Sequence, residues 1–301
     1  GYPGDQIGEN VIRFEKGPNK KVFIRNISYL EQSKDTLGMY LSVKNSNIQP
    51  IVATFPIQTL SKDSVNKAEA VVIDITDFIN GDNNIFFFDT RMKKYRGVGN
   101  YFADKSYIDT IKTYPINIEL KTVKTYAQTA PQGYPPQYAA NFPNDPMTYE
   151  LNSSLILLPK EPMKPRLYDG RVGYFAVRYT DFDSNPQGIE YKSMITRWRL
   201  EPKEGDLQKY INGELVEPKK PIVFYIDPAT PKKWVPYLIA GVNDWQKAFE
   251  KAGFKNAIIG LEAPKDSTWS IDDARHSAIV YKPSDIPNAS GPHVHDPRSG
   301  E

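Results

Sequence analysis

The sequence predicts an α+β fold in which a β-rich N-terminal domain is followed by a smaller α/β subdomain. Short apolar and β-branched runs separated by turn residues fill residues 8–215 and are typical of successive strands. Near Glu217 the pattern changes to strand, long helix, strand, strand. A length of 301 residues is also typical of two domains. We therefore expect one domain at 8–215 and a second at 216–301.

Paired strands open the first domain. Residues 11–14 and 22–25 are short β-rich runs on either side of a turn signal at residues 17–19. Residues 51–55 and 70–75 are almost continuously apolar, a pattern typical of strands that are buried on both faces.

The remainder of this domain also reads as strands. Ile116, Ile118 and Leu120 alternate with polar residues, which predicts a strand with one buried face. Residues 189–200 form a longer alternating stretch. The proline-rich residues 131–146 predict a loop of about 20 residues between two strand-rich blocks.

One long helix is predicted in the second domain. Thr230 is placed to cap it, Pro231 occupies its first position, and Gly253 is placed for a left-handed cap at its end. Apolar residues recur along it at three- and four-residue steps: Trp234, Leu238, Val242, Trp245, Phe249 and Ala252. We therefore expect Trp234, Trp245, Phe249 and Gly253 to be structural. Trp245 should be buried between helix and sheet, so that Trp245→Ala would cost about 3–5 kcal/mol.

Strands flank this helix. Residues 222–226 precede it, and residues 258–261 and 277–281 follow it. A strand–helix–strand unit of this length predicts parallel strands with a right-handed crossover. The tail at residues 291–297 predicts a short edge strand, because proline is tolerated only at its ends or edge.

Composition excludes several classes of function. The 38 Lys and Arg nearly balance the 36 Asp and Glu, so we expect neither nucleic acid nor an anionic membrane as partner. The absence of cysteine excludes thiolate chemistry and thiolate metal sites. No window approaches the roughly 18 apolar residues of a transmembrane segment. The first residue, Gly1, predicts a mature or engineered start, and the last residues, 298–301, read as the middle of a segment.

The histidines are a candidate metal site. His293 and His295 are two positions apart, so on a strand both imidazoles would point to one face. His276 could add a third ligand. The alternative is a pair of exposed polar residues on an edge strand, and we favour it because no carboxylate partners are evident.

Three further patterns favour structural roles. The basic residues of 91–96 lie among aromatic residues, as in a base-stacking surface, but a solvated loop is the better interpretation. Residues 181–185 carry two aspartates without the glycine and distal glutamate of a calcium loop. The 19 tyrosines could form a sugar or peptide platform, or fill sheet cores. No complete catalytic motif is present.

Several segments resemble a known family. Two long runs closely resemble large zinc-dependent metalloproteases that have metzincin-like catalytic domains and are common in Bacteroides. These runs are PIVFYIDPATPKKW at 221–234 and DWQKAFEKAGFKNA at 244–257. The GP and DPRSGE runs of the tail resemble the segment just before that family's zinc helix. The N-terminal domain of unknown function in the same family is similar to this chain at NVIRFE (10–15), VKNSN (43–47) and PRLYDGRVGYF (165–175).

The resemblance implies a fragment of a zinc-dependent metalloendopeptidase. That family's H-E-x-x-H-x-x-G-x-x-H helix lies beyond the tail, so the rest of the catalytic domain is missing and no zinc ligand or catalytic residue can be assigned here. Residues 8–215 would be an accessory domain, and 216–301 the first, incomplete part of the metzincin-like subdomain. The whole protein, of which this chain would be a fragment, would bind zinc, cleave a peptide or protein substrate and be exported. This chain would bind no zinc and would be inactive alone.

The resemblance also suggests how a substrate is held. In such enzymes an edge strand pairs with the extended substrate backbone. By position, the candidates for that strand are Ser277, Ile279, Tyr281, His293 and His295. The alternative function is a non-enzymatic β-rich module that binds protein or glycan through its tyrosines.

Overall fold

The computed structural model describes residues 6–34, 38–62, 69–140, 142–283 and 289–301, and the fold is a β-rich α+β arrangement. In chain order the strands are β1 (Ile12–Gly17), β2 (Lys21–Asn26), β3 (Glu31–Gln32), β4 (Ile51–Lys62), β5 (Glu69–Ile73), β6 (Val98–Tyr101), β7 (Tyr107–Thr113), β8 (Asn117–Gln128), β9 (Pro146–Ile156), β10 (Ala176–Asp181), β11 (Glu190–Ile195), β12 (Ile222–Ile226), β13 (Ile258–Glu262) and β14 (Ser277–Ile279). The helices are α1 (Met39–Ser46), α2 (Thr76–Asn80), α3 (Thr90–Arg96), α4 (Pro136–Ala139), α5 (Leu207–Ile211), α6 (Val235–Asn243) and α7 (Gln246–Lys251).

The strands form separate sheets. β1, β2, β4 and β5 are neighbours in one antiparallel sheet. In a second sheet the long strand β8 pairs with β9 along its whole length and with β6 and β7 on its other side. A third sheet has the order β11-β10-β3, and a fourth has the order β13-β12-β14.

The largest core cluster lies beside β8. Three consecutive phenylalanines, Phe86, Phe87 and Phe88, are buried against Leu120 and Tyr126 of this strand. The rings of Phe88 and Tyr126 meet edge-on with centroids 5.9 Å apart, which is a favoured geometry for aromatic pairs. This apolar contact holds α2 and the following turn over the sheet.

The α/β unit has the predicted parallel topology. β12 pairs in parallel with β13 and with β14. Between β12 and β13 the chain forms α6 and α7, and Val242 of α6 packs on Ile222 and Ile258 of the sheet. The predicted hairpin near residues 17–19 is also confirmed, since β1 and β2 are antiparallel neighbours. The predicted loop at 131–146 is confirmed between β8 and β9 and contains α4.

Three strand predictions are wrong in detail. β4 and β5 are not buried on both faces, because Leu60, Val71 and Val72 are exposed, and the adjacent Val71 and Val72 point to opposite faces of the sheet. Ile118 is exposed because it lies at the end of β8, beyond the phenylalanine cluster. The stretch at 189–200 stops being a strand at Ile195, after which the chain pairs with the C-terminal tail instead.

The predicted single helix is two helices. α6 begins after Trp234, with Pro236 in its first turn, and the chain between Pro231 and Trp234 is a turn. Thr230 does not cap a helix, and its buried hydroxyl has no partner among the described residues. The cap by Gly253 is confirmed, with φ of 94° directly after α7 and its C-cap residue.

The break between α6 and α7 changes the buried face. The turn at residues 244–245 interrupts the helical periodicity, and Trp245 is 63% exposed rather than buried. Trp234 is also exposed, at 45%. Phe249 remains half-buried and packs against Phe254 and Ile258. The prediction of a costly Trp245 truncation is therefore wrong.

The basic segment at 91–96 is a helix rather than a loop. The Asp89 side chain accepts a hydrogen bond from the Met92 N–H at 2.6 Å, and Gly97 ends α3 in the left-handed region. Among the residues that the structure describes, no helix has the length and apolar character needed to span a membrane.

Candidate functional site

The edge strand β14 has one unpaired side. In the described part of the chain β12 is its only strand neighbour, and the Asp227 N–H donates to the Ile279 carbonyl at 3.0 Å. The two main-chain groups of a strand residue point to the same side, and successive residues alternate. The groups of Ser277 and Ile279 therefore face β12, while the N–H and C=O of Ala278 face outward. Ala278 offers one donor and one acceptor to an extended peptide.

Three of the predicted edge residues lie here. Ser277 and Ile279 are half-buried members of β14. Tyr281 lies beyond the end of this strand, because the chain after β12 turns at Asp227, whose carbonyl accepts from the Thr230 N–H at 2.9 Å. β12 therefore supplies no partner for a longer β14. Sequence analysis did not single out Ala278, because it predicts the strand but not which side of the strand pairs with β12.

The predicted edge strand at 291–297 does not form. The tail closes on itself instead, since the Asp296 N–H donates to the Glu301 carbonyl at 2.9 Å and the Gly300 N–H donates to the Asp296 carbonyl at 2.8 Å. The rings of His293 and His295 do lie near each other, with centroids 5.9 Å apart. The Nδ1 atom of His295 is buried without a hydrogen-bond partner in the described ranges.

His276 lies in an aromatic cluster just before β14. Its ring stacks on Trp269 at a centroid distance of 5.3 Å and meets the edge of Tyr225 at 5.5 Å. Its Nδ1 lies 2.9 Å from the Ser270 carbonyl oxygen. Because a carbonyl oxygen only accepts, Nδ1 is the donor in this contact.

The candidate metal site is not assembled from these three residues. Across the described ranges, no group of three His, Cys, Asp or Glu side chains is placed to hold a metal ion. The chemistry of a zinc site requires three or four such ligands. The residues that the structure describes therefore do not form a zinc site.

In the two-aspartate loop at residues 181–185, the Asp181 carboxylate is hydrogen-bonded to donors of the protein itself. The Asp181 carboxylate accepts from Lys192 Nζ at 2.8 Å and from the N–H groups of Asp183 and Ser184. Burial alone would raise the pKa of Asp181, but these donors lower it well below its usual value. The arrangement explains the loop without calcium.

A buried lysine lies beneath the phenylalanine cluster. Lys124 Nζ donates to the carbonyls of Ile79, Asn80 and Gly81 at 2.6, 2.9 and 3.0 Å. It also lies 4.3 Å from the centroid of the Phe87 ring, within reach of a cation–π contact. Burial lowers the pKa of Lys124 from 10.5 to about 8, although Asp82 opposes this. No local sequence pattern predicts this site, because the three carbonyls lie over 40 positions away.

A polar cavity adjoins this lysine. It has a volume of about 560 Å³ and lies between α3, β6 and the β8–β9 loop. Its lining comprises Asp82, Thr90, Lys93, Lys94, Val98, Gly99, Asn100, Tyr101, Thr129, Ala130 and Gln132. The ammonium of Lys93 is paired with Asp82 at 2.5 Å, whereas the Lys94 side chain is exposed.

Tyrosines occur both in the sheet core and on the surface, and the core role is the one that the structure shows. Tyr126 is fully buried and donates to Asp82 at 3.1 Å, and burial raises its pKa far above the usual value. Tyr149 packs on the same ring cluster. Tyr174 and Tyr191 are exposed.

Comparison with known proteins identifies one match. Residues 4–203 match a family described as a domain of unknown function, DUF5117. No curated protein and no solved structure matches the chain.

Proposed function

The chain belongs to the DUF5117 family of domains of unknown function, and from this premise we propose that it is part of a zinc-dependent metalloendopeptidase. In this proposal the β-rich residues 8–215 are an accessory domain. Residues 216–301 are the first part of a metzincin-like catalytic domain, which holds an extended peptide along β14. The whole protein is exported.

The unpaired outer side of β14 carries this proposal. A peptide that lies antiparallel to this edge can bond to the N–H and C=O of Ala278 and so add a strand to the sheet. The parallel β12–β13–β14 sheet, with α6 and α7 packed on it, supports the metzincin-like part of the proposal. Holding a peptide extended beside a catalytic group contributes a large part of the rate enhancement of hydrolysis.

The zinc site would come from another segment of a longer protein. The described residues offer no set of three ligands, so no catalytic step is assigned to this chain. Zinc, when bound by the whole enzyme, would polarise the scissile carbonyl and activate water. The 301-residue chain alone should therefore hold peptide without cleaving it.

A proline substitution tests the role of the edge. Ala278→Pro removes the outward N–H, and edge strands tolerate proline where the N–H faces away from the sheet. Ala278→Val keeps that N–H and is the matched control. A library of extended peptides should slow hydrogen exchange at the Ser277 and Ile279 amides of the parent and the valine variant, because an added strand stabilises β14, and should leave it unchanged in the proline variant. Equal protection in both variants would contradict the role of this edge.

The enzymatic part of the proposal has its own test. The chain, supplied with zinc, should show no hydrolysis of a generic protein substrate. The gene of the longer protein should encode H-E-x-x-H within about a hundred codons of Glu301. Hydrolysis at enzyme-like rates by this chain, or a stop codon directly after Glu301, would refute the assignment.

The polar cavity favours a second candidate, a non-enzymatic glycan-binding module. Tyr101 is part of the cavity lining, and the amide side chains of Asn100 and Gln132 offer paired donors and acceptors. Neutral and anionic oligosaccharides can be screened by calorimetry against the parent and Asn100→Ala. Binding that this substitution abolishes would support the module, and no binding to either protein would exclude it.

A further inference from the structure

We propose that the β7–β8 hairpin of the DUF5117 domain is a docking site for residues 270–274, and that this docking sets the position of β14. The proposal gives the domain a specific role, which is to hold the strand that pairs with peptide. It rests on the proposed function only for the identity of the peptide-holding strand. The docking itself can be measured without any substrate.

The first contact is made by Tyr114, at the turn of the hairpin. Its hydroxyl donates to Ser270 Oγ at 2.9 Å across 156 positions of sequence. The carbonyl of the same serine accepts from His276 Nδ1 at 2.9 Å. Ser270 therefore joins the hairpin to the residue that immediately precedes β14.

The second contact is made by Asn117, the first residue of β8. Its Nδ2 donates to the Asp272 carbonyl at 2.8 Å, and its Oδ1 accepts from the Ala274 N–H at 3.0 Å. One amide side chain thus bonds to two main-chain groups of the docked segment, as a neighbouring strand would. Asn117 is 3% exposed, so loss of the Ala274 bond would leave its buried Oδ1 without a partner.

A buried carboxylate fixes the orientation of this amide. Glu119 accepts from Asn117 Nδ2 at 2.5 Å, and it also accepts from Asn152 Nδ2 and Ser154 Oγ at 2.6 Å each. An ionised carboxylate only accepts, so the nitrogen of Asn117 must face Glu119. Its oxygen is then directed at the Ala274 N–H. The β8–β9 pair therefore presents a preorganised surface.

Charge completes the docking site. The Asp272 carboxylate lies 2.9 Å from Lys112 Nζ and 3.5 Å from Lys121 Nζ. Burial would raise the pKa of Asp272, but the two ammonium groups lower it. The surface thus binds the segment through one carboxylate paired with two ammonium groups and through main-chain hydrogen bonds.

The docked segment leads directly to β14. The His276 N–H donates to the Asp273 carbonyl at 2.9 Å, which closes a turn at the start of the strand. β14 itself pairs with β12 through only three residues. A ladder this short frays readily unless its start is held. The hairpin contacts supply that restraint.

Hydrogen exchange on the whole 301-residue chain tests the proposal. The double variant Lys112→Met/Tyr114→Phe removes an ion pair and a hydroxyl bond while leaving both apolar stems. Tyr107→Phe is the matched control, because Tyr107 lies on the same strand and is exposed. The reporters are the amides of Ala274, bonded to Asn117, and of Asp227, bonded to the Ile279 carbonyl of β14.

In the double variant we expect exchange at both reporters to be about tenfold faster, the ratio expected for loss of the hydroxyl bond, because the ion pair of the exposed Lys112 side chain adds little to it. The β8 amides and the control variant should be unchanged. Asp272→Asn, which leaves the hairpin intact, should act in the same direction. The three histidines also permit a separate readout, since the ring nitrogen shifts of His276 should change and those of His293 and His295 should not.

Unchanged exchange at Asp227 in both variants would overturn the proposal. Faster exchange at Ala274 alone would also overturn it, since docking would then be present without control of β14. Failure of peptide capture with intact exchange coupling would instead count against the proposed function and leave the docking established.

Discussion

Lys124→Met is the substitution whose effect the structure predicts most directly. Methionine preserves an unbranched apolar stem beside Phe87, but the carbonyls of Ile79, Asn80 and Gly81 lose their donor. A buried acceptor without a partner costs about 1–3 kcal/mol. Relief from burying an ammonium returns roughly 3 kcal/mol, the value of a pKa lowered from 10.5 to about 8. With three acceptors lost, we expect a net destabilisation of about 3 kcal/mol at pH 7.

The pH dependence separates these two contributions. Between about pH 8 and pH 10.5 the unfolded chain keeps a proton on Lys124 that the folded chain has lost. The stability of the parent therefore rises with pH in this range, and the variant cannot share this gain. The difference between them should widen by about 2 to 3 kcal/mol from pH 7 to pH 10.

Urea unfolding at the two pH values measures both effects. Lys94→Met is the control, because that side chain is exposed, and it should change stability by less than about 0.5 kcal/mol. A loss below about 1 kcal/mol for Lys124→Met at pH 7 would refute the carbonyl argument. A difference that stays flat with pH would refute the lowered pKa.

Three further substitutions follow from local geometry. Trp245→Ala should lower stability by less than about 1 kcal/mol, because the ring is 63% exposed, and a drop in melting temperature as large as that of Phe88→Ala would contradict this. Asp181→Asn should destabilise the chain at pH 7 and by progressively less as pH falls below 3.8, since a lowered carboxyl pKa contributes stability that begins to decline at the unfolded pKa and is lost only below the folded one; equal urea midpoints at pH 7 would count against it. Gly97→Ala should cost about 1–3 kcal/mol by thermal unfolding, because φ is 67° and a Cβ would collide with the Thr129 carbonyl, and an unchanged midpoint would be inconsistent with that backbone.

The parallel α/β unit could be predicted because its strands are compact apolar runs bounded by turn residues. The course of the helix could not. Pro231 and Pro236 are both compatible with a first turn, and only the packing of α6 on the sheet selects the second. The predicted apolar stripe requires one continuous helix. The turn at 244–245 interrupts that helix, so Trp245 points to solvent and not to the sheet.

Local sequence patterns do not predict sites whose residues are far apart in the chain. Lys124 is flanked in β8 by threonines, valine and tyrosine, and this pattern predicts a solvent-facing lysine. No neighbouring residue indicates the carbonyls that surround its ammonium. Asn117 and Ala274 are 157 positions apart, and their contact depends on how two sheets meet. For β14, the alternation of main-chain groups was predictable, but which side β12 occupies was not, and this is what distinguishes Ala278 from its neighbours.

In the proposed function, the brevity of β14 would link residues 8–215 to peptide capture. Only Ala278 directs both main-chain groups outward within the strand, so a peptide gains few hydrogen bonds, each worth about 1 kcal/mol net. Ordering each backbone residue costs a similar 1–2 kcal/mol. If β14 frayed, binding would have to order strand and peptide together and would gain nothing. Docking of residues 270–274 on the hairpin orders the strand before a peptide arrives, so only the peptide is ordered on binding. A three-residue edge can hold substrate on that condition, and side-chain contacts beside it must provide the remaining affinity.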